Sequence, residues 1–345
     1  MATDMNRRSV LAGLSASVML ATSGRSRASE GAVELKVSTF VPGQDAILDV
    51  VRTWADGVEQ RSRGRLRFVY FPSSQMGPPD RQFDLARKGA ADVSLFLHGF
   101  TPGRFPLTEL AYLPGTFGTI DSEAGAAALS ALSAEFLGSE HAGTKLLAIA
   151  PTPEARIFST GRFAGWEALA GRRIRHSSAT TADTLRALRA VPVGVPSPEM
   201  VDALQKGLVD GLAINWQAAA DWRVEEVGRQ LLDVPLGAAT FGIVMNSARY
   251  EALPVALRSL IDESALGLSQ ALGRELGAAE RHAAERLRPL FEVATLQDAD
   301  LAQAHAILDA RRNVRIAAAQ ARGLPASAFY ERLIDRVRSS AEART

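Results

Sequence analysis

The 345-residue chain contains no cysteine. That excludes disulfides, iron–sulfur clusters, covalent c-type haem, thiolate zinc sites and cysteine nucleophiles. Aromatic residues make up only 6% of the chain, and Lys appears four times, at Lys36, Lys88, Lys145 and Lys206, so nearly all positive charge is Arg. The excess of one charge sign is small: 39 basic against 38 acidic residues, a net of +1. Such a balance carries no electrostatic footprint for nucleic acid. No P-loop, GxGxxG, HExxH or GxSxG pattern occurs, so the usual marks of nucleotide, zinc-hydrolase and serine-hydrolase chemistry are missing. No segment after the first thirty residues offers 18 uninterrupted apolar residues, fewer than the ~20 that span a bilayer as a helix. What is present is a hydrophobic content of 47%, enough for a sizeable core, and a length of roughly two domains.

The N-terminus reads as an address. Arg7 and Arg8 precede a mildly apolar run from Val10 to Ala21, then a polar stretch ending Ser26-Arg27-Ala28. This is the layout of a secretory signal peptide, and the paired Arg points to the twin-arginine (Tat) route and a periplasmic destination. Without residues 1–28 the chain holds 35 basic and 37 acidic residues, a net of −2.

The remainder alternates strand and helix patterns. Val33–Phe40, Leu66–Phe71, Asp92–Leu97 and Lys145–Ile149 read as strands. Asp45–Arg61, a helix from Asp80 to Lys88 and Ser122–Leu137 read as helices. The pattern restarts with strands at Ala155–Ser159, Arg172–Arg175, Val193–Val195 and Val209–Ile214, and helices at Thr181–Arg189 and Pro198–Lys206. A long helical run covers Leu257–Leu287, and Asp298–Arg322 and Pro325–Glu342 follow as further helices. Alternation of this kind predicts an α/β fold of parallel sheets with helices on both faces. Lys88-Gly89-Ala90-Ala91-Asp92 and Lys206-Gly207-Leu208-Val209-Asp210 repeat one corner, a helix stopped at Gly and an Asp entering a strand. Two matched corners point to two related lobes.

No catalytic set is assembled. His282 with Glu285 and His305 with Asp309 have helical spacings that suit a solvated face better than a metal, and neither metal nor cofactor is expected. The residues that suggest chemistry are basic. Gly171-Arg172-Arg173-Ile174-Arg175 is an Arg-rich strand, and alternation places Arg173 and Arg175 on one face. Arg156 lies on the strand before it. An Arg fork matches a carboxylate through two parallel hydrogen bonds, but on spacing alone these Arg better suit a solvated surface or surface ion pairs, since exposed Arg is the norm. Asn215 and Trp216 follow a strand end, where α/β folds bind ligands. Phe40, His98 and Phe241 sit at other strand ends; each of these, with Trp216, fits a cleft wall or core packing alike.

Four ordered stretches resemble the DctP-like solute receptors of TRAP transporters. They are residues 64–77 (Gly-Arg-Leu to Ser-Gln-Met-Gly), 88–118 (with Thr-Pro-Gly-Arg-Phe-Pro-Leu), 166–175 (Trp-Glu-Ala-Leu-Ala-Gly-Arg-Arg-Ile-Arg) and 199–211 (Glu-Met-Val-Asp-Ala-Leu-Gln-Lys-Gly-Leu-Val-Asp-Gly). A weaker match runs from Val244-Met245-Asn246 to Leu253-Pro254. The resemblance implies a periplasmic binding protein type II-like fold, two α/β lobes around a ligand cleft with long C-terminal helices. Residues 29–152 plus 241–280 would form lobe 1, and 153–240 plus 281–345 lobe 2, with chain crossings near 150–154 and 236–242. It implies that Arg175 clamps a ligand carboxylate, with Arg156 and Asn215 as further contacts. It also implies a monomeric receptor that delivers its organic acid to the small and large membrane subunits of a TRAP permease. The sequence departs from the family at His176-Ser177, where an apolar residue and Pro are usual. A ligand sensor for a membrane kinase, a Tat-exported enzyme and an ABC-type receptor remain alternatives on these residues.

Overall fold

The computed structural model describes residues 32–118 and 122–342; the segment read as a signal peptide, residues 1–28, lies outside them. The first sheet begins with β1 (Val33–Thr39), which leads to α1 (Ala46–Arg61) and β2 (Leu66–Phe71). Asp45 caps α1 by accepting a hydrogen bond from the Ile47 N–H at 2.8 Å, and the stripe Ile47, Leu48, Val51, Trp54 and Val58 buries against the sheet. Gly64, at φ +73°, turns the chain into β2, a left-handed conformation that costs other residues energy. Then come α2 (Gln82–Arg87), β3 (Val93–Leu97), α3 (Ser122–Leu132), continued by a π-turn to Leu137, and β4 (Thr144–Pro151).

The second half runs β5 (Arg156–Ser159), β6 (Arg173–His176), α4 (Ala179–Ala187), β7 (Val191–Gly194), α5 (Met200–Gln205), β8 (Gly211–Ile214), α6 (Trp216–Asp221) and β9 (Gln230–Asp233). The chain then returns with β10 (Thr240–Asn246), α7 (Ser247–Glu251), α8 (Val255–Ala265) and α9 (Leu268–Leu287). It ends with β11 (Glu292–Thr295), α10 (Asp298–Ala321) and α11 (Ala326–Glu342). The long helical run expected over Leu257–Leu287 is two helices, because Gly267 adopts φ +80° between them.

Two sheets result, ordered β2-β1-β3-β10-β4 and β11-β9-β5-β8-β6-β7. They are mixed, where alternation alone predicts parallel sheets. β1 pairs in parallel with β2 and β3, while β10 is antiparallel to β3 and β4. In the same way β6 pairs in parallel with β7 and β8, while β5 is antiparallel to β8 and β9. The antiparallel member of each sheet is the strand that enters from the other half of the chain.

The repeated corners occupy equivalent places. Asp92 exchanges backbone and side-chain bonds with Lys36 on β1: Lys36 N–H to Oδ2 at 2.7 Å, Asp92 N–H to the Lys36 carbonyl at 2.9 Å. Asp210 does the same with Arg173 on β6, at 2.8 and 2.7 Å. Gly89 and Gly207 both take positive φ, +77° and +66°. Each corner thus pins the strand next to the edge of its sheet, β1 beside β2 and β6 beside β7.

The halves are joined by a ribbon at 152–155 and 234–239. Thr152 N–H donates to the Ala239 carbonyl (2.8 Å), Ala155 N–H to the Gly237 carbonyl (2.8 Å), and Leu236 N–H back to the Ala155 carbonyl (3.0 Å). Helix α9 packs on α1, α3 and β4 of the first half and on α6 of the second. Of the C-terminal segment, β11 joins the second sheet and α10 packs on α4, whereas α11 packs on α3 beside the first sheet.

Candidate ligand-binding cavity

The facing ends of the two sheets enclose a cavity with about 70 Å³ of room for water centres. Its walls combine Phe40, Val41, Asp45, Leu97 and Phe241 from the first half, Thr152 and Ala239 from the ribbon, and Arg175, Ser177, Thr181, Ser197, Met200, Asn215, Gln217 and Asp221 from the second.

Arg175 sits on β6, paired with Leu212 of β8 and Val193 of β7. Its neighbour Arg173 is exposed and ion-paired with Asp210 at 2.7 Å, so the two Arg have different fates at the strand's start and middle. Arg175 is 2% exposed. Its Nε donates to the Val195 carbonyl at 2.8 Å and Nη2 to Ser197 Oγ at 3.1 Å. Among the described residues no carboxylate pairs with it, and burial alone lowers its pKa to about 10. A cation held this way is oriented but not neutralised.

Asn215 is 6% exposed on the same wall. Its Oδ1 caps α6 by accepting from Ala218 N–H at 3.2 Å. Among the described residues its Nδ2 has no partner at hydrogen-bond geometry, although the amide lies near Glu280 and eases that carboxylate's charge. Glu280 reaches from α9 to accept the Trp216 and Gln217 N–H groups at 3.1 and 2.8 Å, fixing the start of α6 beside the cavity. Ser178 caps α4 through the Thr181 N–H at 3.0 Å, which sets Ser177 and Thr181 at the cavity edge. Phe40 and Phe241 stack with centroids 6.2 Å apart and planes within 3°, forming the first half's apolar wall.

Three sequence candidates lie elsewhere. Arg156 does not line the cavity; its Nε is 2.6 Å from Asp233 Oδ1 and its Nη1 donates to the Glu154 and Ala155 carbonyls, which holds it on the hinge side. Trp216 is a core residue, edge-on to Phe158 and Phe291 at 4.9 and 5.8 Å, because the first turn of α6 rotates it inward. His98 is fully buried below the wall, with Nδ1 3.0 Å from Thr240 and Nε2 3.0 Å from His141 Nε2. Burial, then the neighbouring His141, holds its pKa well below the usual range. His176 turns to a separate open groove between the halves, shared with Phe100, Pro102 and Pro196. The sequence reading missed Asp45 and Asp221 as wall residues. For Asp45 the signal was present, as an acidic residue directly before an apolar helical stripe. No group of three or more His, Asp or Glu among the described residues could hold a metal, and no described helix is long and apolar enough to cross a membrane.

Two sheets of matched topology, hinged by a hydrogen-bonded ribbon and facing each other across a cavity, make a two-lobed solute receptor. The chain belongs to the bacterial extracellular solute-binding protein family 7, DctP, whose model matches residues 37–311. A curated relative, a solute-binding protein of Albidiferax ferrireducens, is 26% identical over 246 residues, covering 66% of this chain and 70% of its own. A TRAP solute-binding protein from a marine metagenome, solved with metahydroxyphenylacetate and described as specific for aromatic acids, superposes with a TM-score of 0.84. It shares 26% identity, covering 89% of this chain and 99% of that one. A TRAP solute-binding protein of Rhodoferax ferrireducens, solved with copurified benzoate, matches with a TM-score of 0.84 and 25% identity over 91% and 100% of the chains. The family and these neighbours are receptors rather than enzymes.

Proposed function

We propose that this chain is a periplasmic receptor, exported by its twin-arginine signal, that captures an organic carboxylate and hands it, as a monomer, to a TRAP-type permease. The observation that carries the reading is Arg175: a fully buried guanidinium on the cavity wall with no carboxylate among the described residues to pair with. A ligand carboxylate supplies the missing charge, and Asn215 Nδ2 offers it a second donor. Because Arg175 comes from one lobe and the Phe40–Phe241 wall from the other, a bound acid contacts both only when the lobes meet, so binding shifts the population toward the closed form. Closure excludes water and strengthens the ion pair; with no ligand, the same closure strands a charge, which favours an open, wet cleft. The solved neighbours that hold aromatic acids support a carboxylate cargo with an apolar body.

A thermal-shift screen of the mature protein against organic acids, amino acids and neutral sugars tests this. A ligand that binds only the native state raises Tm. Shifts with carboxylates and none with neutral sugars are expected. Shifts with sugars alone would remove the carboxylate reading.

A further inference from the structure

Glu109 is a buried carboxylate whose side-chain partners among the described residues all lie in the other half of the chain. It belongs to the short turn Thr108–Tyr112 of the first lobe, whose Leu110 and Ala111 pack with Phe329 and Leu333 of α11. Glu109 is 2% exposed, and its Oε1 has no hydrogen-bond partner among the described residues. Its Oε2 accepts from Thr180 Oγ1, in the first turn of α4, at 3.0 Å and lies 3.7 Å from Arg315 Nη2 of α10. Arg315 is itself fastened to α4: Nη2 donates to Thr180 Oγ1 at 2.8 Å and Nη1 to Asp183 Oδ2 at 2.9 Å. Helix α10 packs Ala304 and Leu308 into the second half's core and Ala319 beside Leu110 of the first, so Arg315 stands where the helix crosses. Together α4 and α10 present one joint donor face to Glu109. None of Glu109, Thr180 and Arg315 lines the ligand cavity.

Burying a carboxylate is costly unless donors replace its water. Here the donors come from across the interface, so Glu109 meets them only when the lobes are together. When the lobes part, it returns to water and gives up no side-chain hydrogen bond of its own lobe. We propose that the Thr180 hydroxyl, held between Glu109 and Arg315, is a latch of the closed state, and that these three residues set the receptor's affinity without touching its ligand. The latch also positions the site. Ser177, just before α4, and Thr181, next to Thr180, are both on the cavity wall, and β6 with Arg175 leads directly into that turn. Docking Thr180 on Glu109 therefore sets Ser177 and Thr181 against the first lobe as the cleft shuts. The inference rests on the lobe closure proposed above and is indifferent to the ligand's chemistry.

Calorimetric titration of the mature protein tests this, with the ligand-free Tm of each variant measured beside it. The probe is whichever of benzoate, metahydroxyphenylacetate and glucose raises the wild-type Tm most. Thr180→Val removes the hydroxyl at nearly constant volume and strands the Glu109 carboxylate in the closed form alone. Its Kd should be at least about tenfold weaker than that of the wild type, with the ligand-free Tm little changed. Thr180→Ser restores the hydroxyl and should bind nearly as the wild type does. The double variant Glu109→Met, Thr180→Val strands no charge and should bind tighter than Thr180→Val, because removing both partners of a buried pair costs far less than removing one. An unchanged Kd in Thr180→Val, a loss that Thr180→Ser shares in full, or a double variant weaker than the single one overturns the latch. So does a loss of affinity that only follows an equal loss of ligand-free stability. Glucose as the sole binder overturns the carboxylate reading instead, and the same variants titrated with glucose then decide the latch.

Discussion

Closure of the lobes requires that they come into contact, and one position makes that contact sensitive to a single methyl group. Gly99 follows β3 in the first lobe. A Cβ built there would lie 2.6 Å from Ser178 Cβ and 3.0 Å from the Ser177 carbonyl of the second lobe, and 2.8 Å from Tyr112 Cε2 of its own. Overpacking of this kind costs about 1–3 kcal/mol. In the open form the two contacts across the cleft vanish, so most of the cost in Gly99→Ala falls on closure. The apparent Kd for the best carboxylate should then weaken by about fivefold to over 100-fold at 1.4 kcal/mol per decade. The ligand-free Tm should fall by the smaller share that the Tyr112 contact alone carries, while the fold is retained. Titration calorimetry gives the Kd and differential scanning calorimetry the Tm. An unchanged Kd would refute the reasoning, and so would a loss of binding that only follows a collapse of the ligand-free fold.

Three further outcomes follow from the same geometry. Gly237→Ala should destabilise the ligand-free protein by about 3 kcal/mol, read as a lower midpoint in urea, because Gly237 sits at φ +89° with a new Cβ 1.9 Å from the Tyr112 carbonyl oxygen. Asp45 is raised from 3.8 to about 6 in the folded protein, so the native state holds its proton longer than the unfolded chain and stability falls as pH rises from about 4 to 6. Asp45→Asn should therefore be about as stable as wild type near pH 4 and more stable by up to ~3 kcal/mol at pH 7, measured by urea melts at both pH values; a constant difference contradicts the assignment. Replacing Arg7 and Arg8 with Lys should stop export of the precursor, visible as accumulation of uncleaved chain in cell fractions, whereas continued export would point to the general secretory route.

Elements whose periodicity is carried by their own residues were legible in the sequence. The apolar stripe from Ile47 to Val58 and the glycine at 64 defined α1 and the approach to β2. The two Gly–Asp corners foretold two lobes because the same short-range exchange of hydrogen bonds pins β1 and β6. The short strands β9 and β11, at one end of the second sheet, were not legible, being four residues each with no alternation to read. Nor was the antiparallel entry of β10 and β5, which depends on where the chain crosses rather than on local pattern. At the cavity, Asn215, Phe40 and Phe241 could be nominated from strand-end positions and Arg175 from the Arg-rich strand and the family resemblance, but position does not fix side-chain direction. Trp216 and His98 occupy equivalent positions and point into the core, one toward Phe158, the other toward His141, a partner 43 residues away in sequence. Arg156 was claimed by Asp233 of an unread strand.

The central claim is that the Arg175 guanidinium fork holds the ligand's carboxylate. Arg175→Lys keeps a positive charge while removing the planar fork and its fixed link to Val195. Hydrogen bonds to charged groups contribute about 1.5–3 kcal/mol each, so calorimetric titration of this variant with the carboxylate that most stabilises the wild type should give a Kd weaker by about ten- to 150-fold, with the ligand-free Tm retained. A Kd equal to that of the wild type would take Arg175 out of the site and the account with it.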